Sequence, residues 1–361
     1  MASLFERFHP NPAFGYQLLR VIAEGADVFE CWRVAARVET IADWQREWAA
    51  AGARWLAQAE AAAARGDGYT ARTHAFQAHF FYRLAEFFLH ENTPEKQDLF
   101  RRMRASFQLA GRYFQPPLEP VRIPFAGTYL DGYFLPARGA ERERRPAVVF
   151  IGGADSVMEE CALSGGEAFR GAGLHTLVLD GPGQGAPLRF ENQYARPDYE
   201  VVYSAALDYL AGRPECAPDR LGVVGVSMGG YYGARGALDP RVKAAVVWSA
   251  LYDVGEGLYD YFPPIRDTLR YITGSRTLEE TREKLRAFTL APVVQRIRCP
   301  TLVVHGGLDH LVPESEARRI YEALTCEKAL RIWPAGQHAL LDYTPEVLQV
   351  MNAWLLTHLM R

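Results

Sequence analysis

The sequence lacks any apolar run approaching the roughly 20 residues that a membrane-spanning helix needs, so no membrane partner is expected. It also lacks a long block of like charge. Lys and Arg number 40 against 43 Asp and Glu, a net charge of −3, which is not the electrostatic footprint of a nucleic-acid binder. The densest basic stretches, 101–104 and 142–145, are short and read as solvated surface. Cysteine is scarce: five residues, Cys31, Cys161, Cys216, Cys299 and Cys326, odd in number and scattered. That pattern excludes a disulfide scaffold, shows no metal-ligand spacing, and fits reduced thiols in a cytoplasmic protein. The N-terminus, from Met1 to Pro10, has no basic region followed by an apolar core, so no secretory leader is expected. No metal or organic cofactor is implied.

What is present falls into two compositional halves. Residues 1–118 are dominated by Ala, Trp, Phe, Arg and Glu and read as helical, the simplest arrangement being three antiparallel helices. One spans 40–64, with Trp44, Trp48 and Trp55 gathered towards one side. A second, over 69–90, carries Phe76, Phe80, Phe81, Phe87 and Phe88, together with His74 and His79, which read as structural histidines. Thr93-Pro94 starts a third with an N-cap Thr and Pro at the first helical position.

From residue 119 the pattern changes. A hairpin over 121–124 and 128–135 precedes apolar strands at 147–151, 175–179, 221–226, 243–249, 301–305 and 329–333. Helices are expected between and after them at 159–171, 198–211, 228–237, 314–325 and 345–359. Such alternation predicts a mostly parallel sheet covered on both faces, with the functional loops along the edge formed by the strand C-terminal ends. Between the strands ending near Ser249 and starting at Thr301 lie about fifty residues. Within them, 252–290 is rich in Tyr and reads as a lid or pocket wall.

Chemistry concentrates at Gly225-Val226-Ser227-Met228-Gly229. A strand runs into this Gly-x-Ser-x-Gly and a helix leaves it, the setting of a nucleophile elbow. Side chains at Gly225 or Gly229 would collide with the neighbouring helix or strand. A Ser hydroxyl needs a base against it and a third group to orient that base. In sheets of this kind the chain order is Ser, acid, His. Asp309 lies in the loop after the strand 301–305, and His338 in the loop after 329–333, so Asp309 is read as the orienting acid and His338 as the base. His310 is a rival base, but it sits beside Asp309 on the same loop. Oxyanion donors are expected from the Met228 N–H and from the Gly152-Gly153-Ala154-Asp155 loop, with Ala154 N–H assigned. Tyr231 and Tyr232 follow the elbow, and one of them, Tyr231, is a candidate pocket residue.

Gly152-Gly153-Ala154-Asp155, Glu159-Glu160, Asp180-Gly181-Pro182-Gly183-Gln184-Gly185 and the Ser227 motif together resemble an α/β-hydrolase subfamily with a helical N-terminal domain. It includes 2,6-dihydroxypseudooxynicotine hydrolase, fungal yellowish-green-type polyketide hydrolases and fermentation/respiration-switch esterase-like proteins. The resemblance covers nearly the whole chain. It implies an α/β-hydrolase core over 119–361 with an insertion at about 252–290, an N-terminal helical cap over 1–118, and a homodimer. It also implies attack on a small apolar or aromatic, polyketide-like carbonyl substrate. The first two of these hydrolases cleave a carbon–carbon bond next to a ketone. The nicotine-pathway enzyme carries an assisting Glu in the Gly-Gly loop; Asp155 stands there in this chain. Asp155 has two readings: a proton donor to a departing carbon, or a cap for the following helix. The 180–185 turn is read as architecture. Ester hydrolysis and carbon–carbon cleavage share every residue named. Acyl transfer or cyclisation from the same acyl-enzyme, or binding without catalysis, are the alternatives.

Overall fold

The computed structural model describes residues 8–360. The first seven residues, which include most of the stretch read for a leader, and Arg361 lie outside the described residues. The chain forms two compact units, Met1–Leu118 and Glu119–Arg361.

Among the described residues the first unit contains five helices: α1 Pro12–Glu24, α2 Val28–Ala35, α3 Ile41–Ala64, α4 Gly68–Phe87 and α5 Pro94–Gly111. Two more helices are present than the three expected. The α1 signals are in the sequence: Asn11 accepts the Ala13 N–H, Pro12 follows at the first helical position, and Gly25 ends the helix with φ 115°. Helix α2 is only eight residues long, too short to display a period. Trp44 and Trp48 are fully buried, and the Trp48 ring stacks on Phe81 at 5.5 Å. Trp44 Nε1 donates to Leu84 O at 2.6 Å, tying α3 to α4. Glu86 is buried between two cations, with Arg83 at 2.7 Å and Lys96 at 2.6 Å, which supplies the pairing a buried carboxylate needs.

The second unit is built on eight strands: β1 Glu119–Phe125, β2 Thr128–Leu135, β3 Arg145–Ile151, β4 His175–Asp180, β5 Cys216–Val226, β6 Val242–Trp248, β7 Thr301–Gly306 and β8 Lys328–Trp333. Their order is β1-β2-β4-β3-β5-β6-β7-β8. The β1–β2 and β2–β4 pairs are antiparallel and the remaining pairs parallel. Strands β3, β4 and β7 are buried along almost their whole length, as a sheet covered on both faces requires. Register aligns the C-terminal ends, pairing Ile151 with Gly225, Val226 with Trp248, Trp248 with Val304 and Gly306 with Trp333. The loops that leave those ends therefore emerge along one edge.

The flanking helices are α6 Met158–Cys161, α7 Glu167–Gly171, α8 Gly185–Glu191, α9 Glu200–Ala211, α10 Met228–Gly236, α13 Glu314–Ala323 and α14 Thr344–Leu359. The single helix expected over 159–171 is instead α6 and α7 joined by a π turn, Ala162–Gly166. There a Cβ on Gly165 would stand 2.7 Å from the Phe150 ring, so the backbone lies flush against the sheet. The excursion after β6 holds a π turn, Gly255–Asp260, with α11 Arg266–Ile272 and α12 Leu278–Leu285. Its two feet are joined by an Asp253–Thr289 bridge. The first foot is also held from α13, where Glu316 Oε2 accepts the Tyr252 and Asp253 N–H groups at 2.9 Å each.

Candidate active site

Strand β5 delivers Ser227 into a conformation that side chains rarely adopt, φ 60° and ψ −127°. Such a residue persists only where its surroundings over-determine it. Here the Ser227 N–H donates to Trp248 O at 2.8 Å, and Gly230 N returns to Ser227 O at 2.8 Å. The flanking glycines are required by close approach: a Cβ on Gly225 would run into Gly229 O, and one on Gly229 into the carbonyls of Ile151 and Gly152. Ser227 is half-buried, and Met228 behind it is fully buried.

Asp309 and His338 come together on the loops after β7 and β8. His338 Nδ1 lies 2.7 Å from Asp309 Oδ2. The other carboxylate oxygen accepts the Leu311 and Val312 N–H groups at 2.9 Å each. Burial by itself would raise the Asp309 carboxyl. The charge and hydrogen bond of His338, with smaller contributions from His305 and the Val312 N–H, hold it below its ordinary value instead. Asp309 therefore stays ionised, and its bond to Nδ1 fixes the orientation of the His338 ring. His310 is not the histidine bound to Asp309; that place belongs to His338.

The Ser227 and His338 loops meet at the end of β6. Ala339 N donates to Ser249 Oγ at 3.2 Å, one residue from the carbonyl that holds Ser227 N. Ala339 and Leu340 both have positive φ, 57° and 52°, so the backbone turns sharply just after His338. No hydrogen bond joins Ser227 Oγ to His338 among the described residues.

The loop after β3 reaches the same point. A Cβ on Gly153 would stand 3.0 Å from Ser227 Cβ and 3.3 Å from Ser227 Oγ. Ala154 is buried, and Asp155 beside it is half-buried. Met228 is the first residue of α10, so its N–H has no carbonyl within the helix to bond. The position before α6 is Val157, and the Met158 N–H is taken by Asp180 Oδ1 at 2.8 Å. Tyr231 is fully buried with its hydroxyl donated to Pro197 O at 2.7 Å, so that hydroxyl is spent inside the protein. Tyr232 is buried as well, stacked on Tyr199 with ring centroids 3.5 Å apart.

Residues 189–361, which contain Ser227, Asp309 and His338, match the model of the prolyl oligopeptidase family. The hydrolase LUC6 of Fusarium sp is 30% identical, covering 91% of this chain and 89% of its own. The alpha/beta hydrolase psoB of Aspergillus fumigatus is 28% identical over 90% of this chain and 86% of its own. The chain belongs to the α/β-hydrolase family. It is an enzyme, a hydrolase. The solved structure of 2,6-dihydroxy-pseudo-oxynicotine hydrolase superimposes with a TM-score of 0.83 at 27% identity, covering 94% of this chain and 95% of that one.

Two further residues of this α/β-hydrolase belong to the site's surroundings. His305, fully buried at the end of β7, lies 3.0 Å through Nε2 from Val312 O and 3.6 Å from Asp309 Oδ2. Burial lowers its pKa and Asp309 only partly opposes this, so it favours the neutral form. The four-residue spacing of His305 and Asp309 across a strand end was the available signal. Gln184, in the turn after β4, donates through Nε2 to Gly152 O and Gly153 O, both at 2.8 Å. The Asp-Gly-Pro-Gly-Gln-Gly run marks the turn, but nothing in one sequence says where its amide points.

Proposed function

We propose that the protein is a serine hydrolase that cleaves small apolar or aromatic carbonyl compounds at an ester or at a carbon–carbon bond beside a ketone. The observation that carries this reading is the buried 2.7 Å Asp309–His338 bond, on the same sheet edge as a strained Ser227 at φ 60°.

His338 Nε2 takes the hydroxyl proton as Ser227 Oγ bonds to the carbonyl carbon. The oxygen becomes an oxyanion and is held by the Met228 and Ala154 N–H groups. The tetrahedral intermediate collapses. A leaving alkoxide takes the proton from His338; a leaving carbon takes it from Asp155, and the proton on His338 then returns to Asp155. Water then gives a proton to His338 and attacks the acyl-Ser227, which releases a carboxylic acid and restores the hydroxyl.

The choice between an ester and a carbon–carbon bond turns on the leaving group. A relative of nearly the same length is named for 2,6-dihydroxy-pseudo-oxynicotine, which favours an aryl ketone. Asp155, two residues after the Gly153 that abuts Ser227, is the group proposed to protonate a departing carbon. The helix-capping alternative for it is weakened because Asp180 holds the Met158 N–H.

The test is hydrolysis of p-nitrophenyl esters and of aryl β-diketones by wild type, Ser227→Ala and His338→Ala. Each variant is expected to lose roughly 10⁴-fold or more in kcat on whichever substrate turns over. Undiminished turnover by folded Ser227→Ala would remove the nucleophile and the reading with it.

A further inference from the structure

We propose that Gln184 is a positioning residue for the oxyanion loop, a role resting on the serine-hydrolase reading above. The loop Gly152-Gly153-Ala154-Asp155 has no regular secondary structure to fix its peptide planes. Within the loop region only the Ser156 N–H, donated to Gly153 O at 3.3 Å, holds one of these carbonyls, and Gln184 holds that carbonyl and Gly152 O as well. The side chain is 3% exposed, and one NH₂ group reaches both Gly152 O and Gly153 O at 2.8 Å.

A trans peptide is planar, with its carbonyl and the next N–H pointing opposite ways. Fixing Gly152 O therefore fixes the Gly153 N–H, and fixing Gly153 O fixes the Ala154 N–H. Both N–H groups are turned away from Gln184. The Gly153 carbon lies against Ser227: a Cβ there would be 3.3 Å from Ser227 Oγ. Gln184 thereby presets a donor at the place where negative charge develops, and a preset dipole needs no reorganisation during reaction.

The amide is itself clamped. Oε1 accepts from Gly181 N at 3.4 Å. Tyr199 Oη lies 3.2 Å from both Gln184 Oε1 and Pro182 O, so its single proton is shared between them. Donors surround Oε1 and carbonyls surround Nε2, which fixes the orientation of the amide. Only an amide suits this position. A carboxylate matches its shape but offers no proton to two carbonyl oxygens.

The experiment compares wild type, Gln184→Glu, Gln184→Ala and Tyr199→Phe. For each, kcat and KM are measured on a p-nitrophenyl ester, the inhibition constant of an aryl trifluoromethyl ketone is determined, and thermal melting is recorded. The ketone adds to the serine and places an oxyanion in the hole. Donors that act mainly in the transition state affect kcat and analogue binding rather than KM. Both Gln184 variants are expected to lose roughly 10- to 100-fold in kcat, with KM within about twofold and the ketone weakened in parallel. Tyr199→Phe, which keeps the Nε2 bonds, is expected to lose less. If Gln184→Ala does not fold, Gln184→Glu and Tyr199→Phe carry the test. Folded Gln184 variants with unchanged kcat and ketone affinity would overturn the proposal while leaving the Ser227 assignment intact. A wild type whose serine fails to react with the ketone would overturn both.

Discussion

His338 Nδ1 and Asp309 Oδ2 lie 2.7 Å apart with both side chains buried. The acid is fully engaged: one oxygen holds the histidine, and the other holds the Leu311 and Val312 N–H groups. Asp309→Asn keeps the shape but can present an N–H to the ring and favour the wrong tautomer. It is expected to lower kcat by roughly 10³- to 10⁴-fold with the fold retained, measured by steady-state hydrolysis of an activated ester.

The same carboxyl makes a prediction about acid stability. Its folded pKa is depressed below the ordinary 3.8, so the unfolded state binds its proton first as pH falls. The stability it contributes is present above 3.8 and is lost as pH drops through the lower folded value. Thermal melting of wild type and Asp309→Asn between pH 7 and pH 2.5 should show the variant's deficit shrinking below pH 4. A constant deficit would mean that Asp309 is not ionised in the fold.

Gly225→Ala tests the elbow's packing. The added methyl meets the backbone carbonyl of Gly229, which cannot move without displacing α10. The expected cost is about 3 kcal/mol or more, read as a large fall in melting temperature or in soluble yield.

Glu316 anchors the excursion after β6. Burial raises its pKa, and the Asp253 N–H, Arg319 and the Tyr252 N–H oppose that rise. Glu316→Ala strips the acceptor from two backbone N–H groups and leaves Arg319 without its 2.7 Å partner. The expected loss is about 2–4 kcal/mol, seen in melting and in faster proteolytic cleavage within 252–290.

Asp155→Asn separates the two leaving groups. An ester's alkoxide can be protonated by His338 alone, whereas a departing carbon calls on Asp155 in the account above. The variant should lose at least about tenfold more kcat on an aryl β-diketone than on an ester, a difference in ΔΔG‡ of about 1.4 kcal/mol. Equal losses on both would assign Asp155 to the loop's structure.

Much of the fold was legible because its periods are simple. Apolar runs such as Ala147–Ile151 and Thr301–His305 are buried on both faces, so each stands out between polar turns. Helix α2 was not legible because eight residues are too few for a helical stripe. The break in the helix after β3 depends on Gly165 and Gly166 lying against Phe150 and Leu135, contacts made across the fold. At the site, Gly-x-Ser-x-Gly and the loops holding Asp309 and His338 are local patterns with a required chain order. Gln184 and His305 escaped because their importance lies in what they touch: two carbonyls more than thirty residues away, and a carboxylate reached by the bend of a strand end. Tyr231 shows the converse, since an aromatic beside the elbow looks suited to a pocket until its hydroxyl is found bonded to Pro197 O.

The central claim is that Ser227 is an activated nucleophile. Intact-protein mass after exposure to a small fluorophosphonate, on wild type and on Ser227→Ala, tests it most directly. The account predicts one adduct on wild type and none on the variant. An unmodified wild type, or an equal adduct on both proteins, would contradict it.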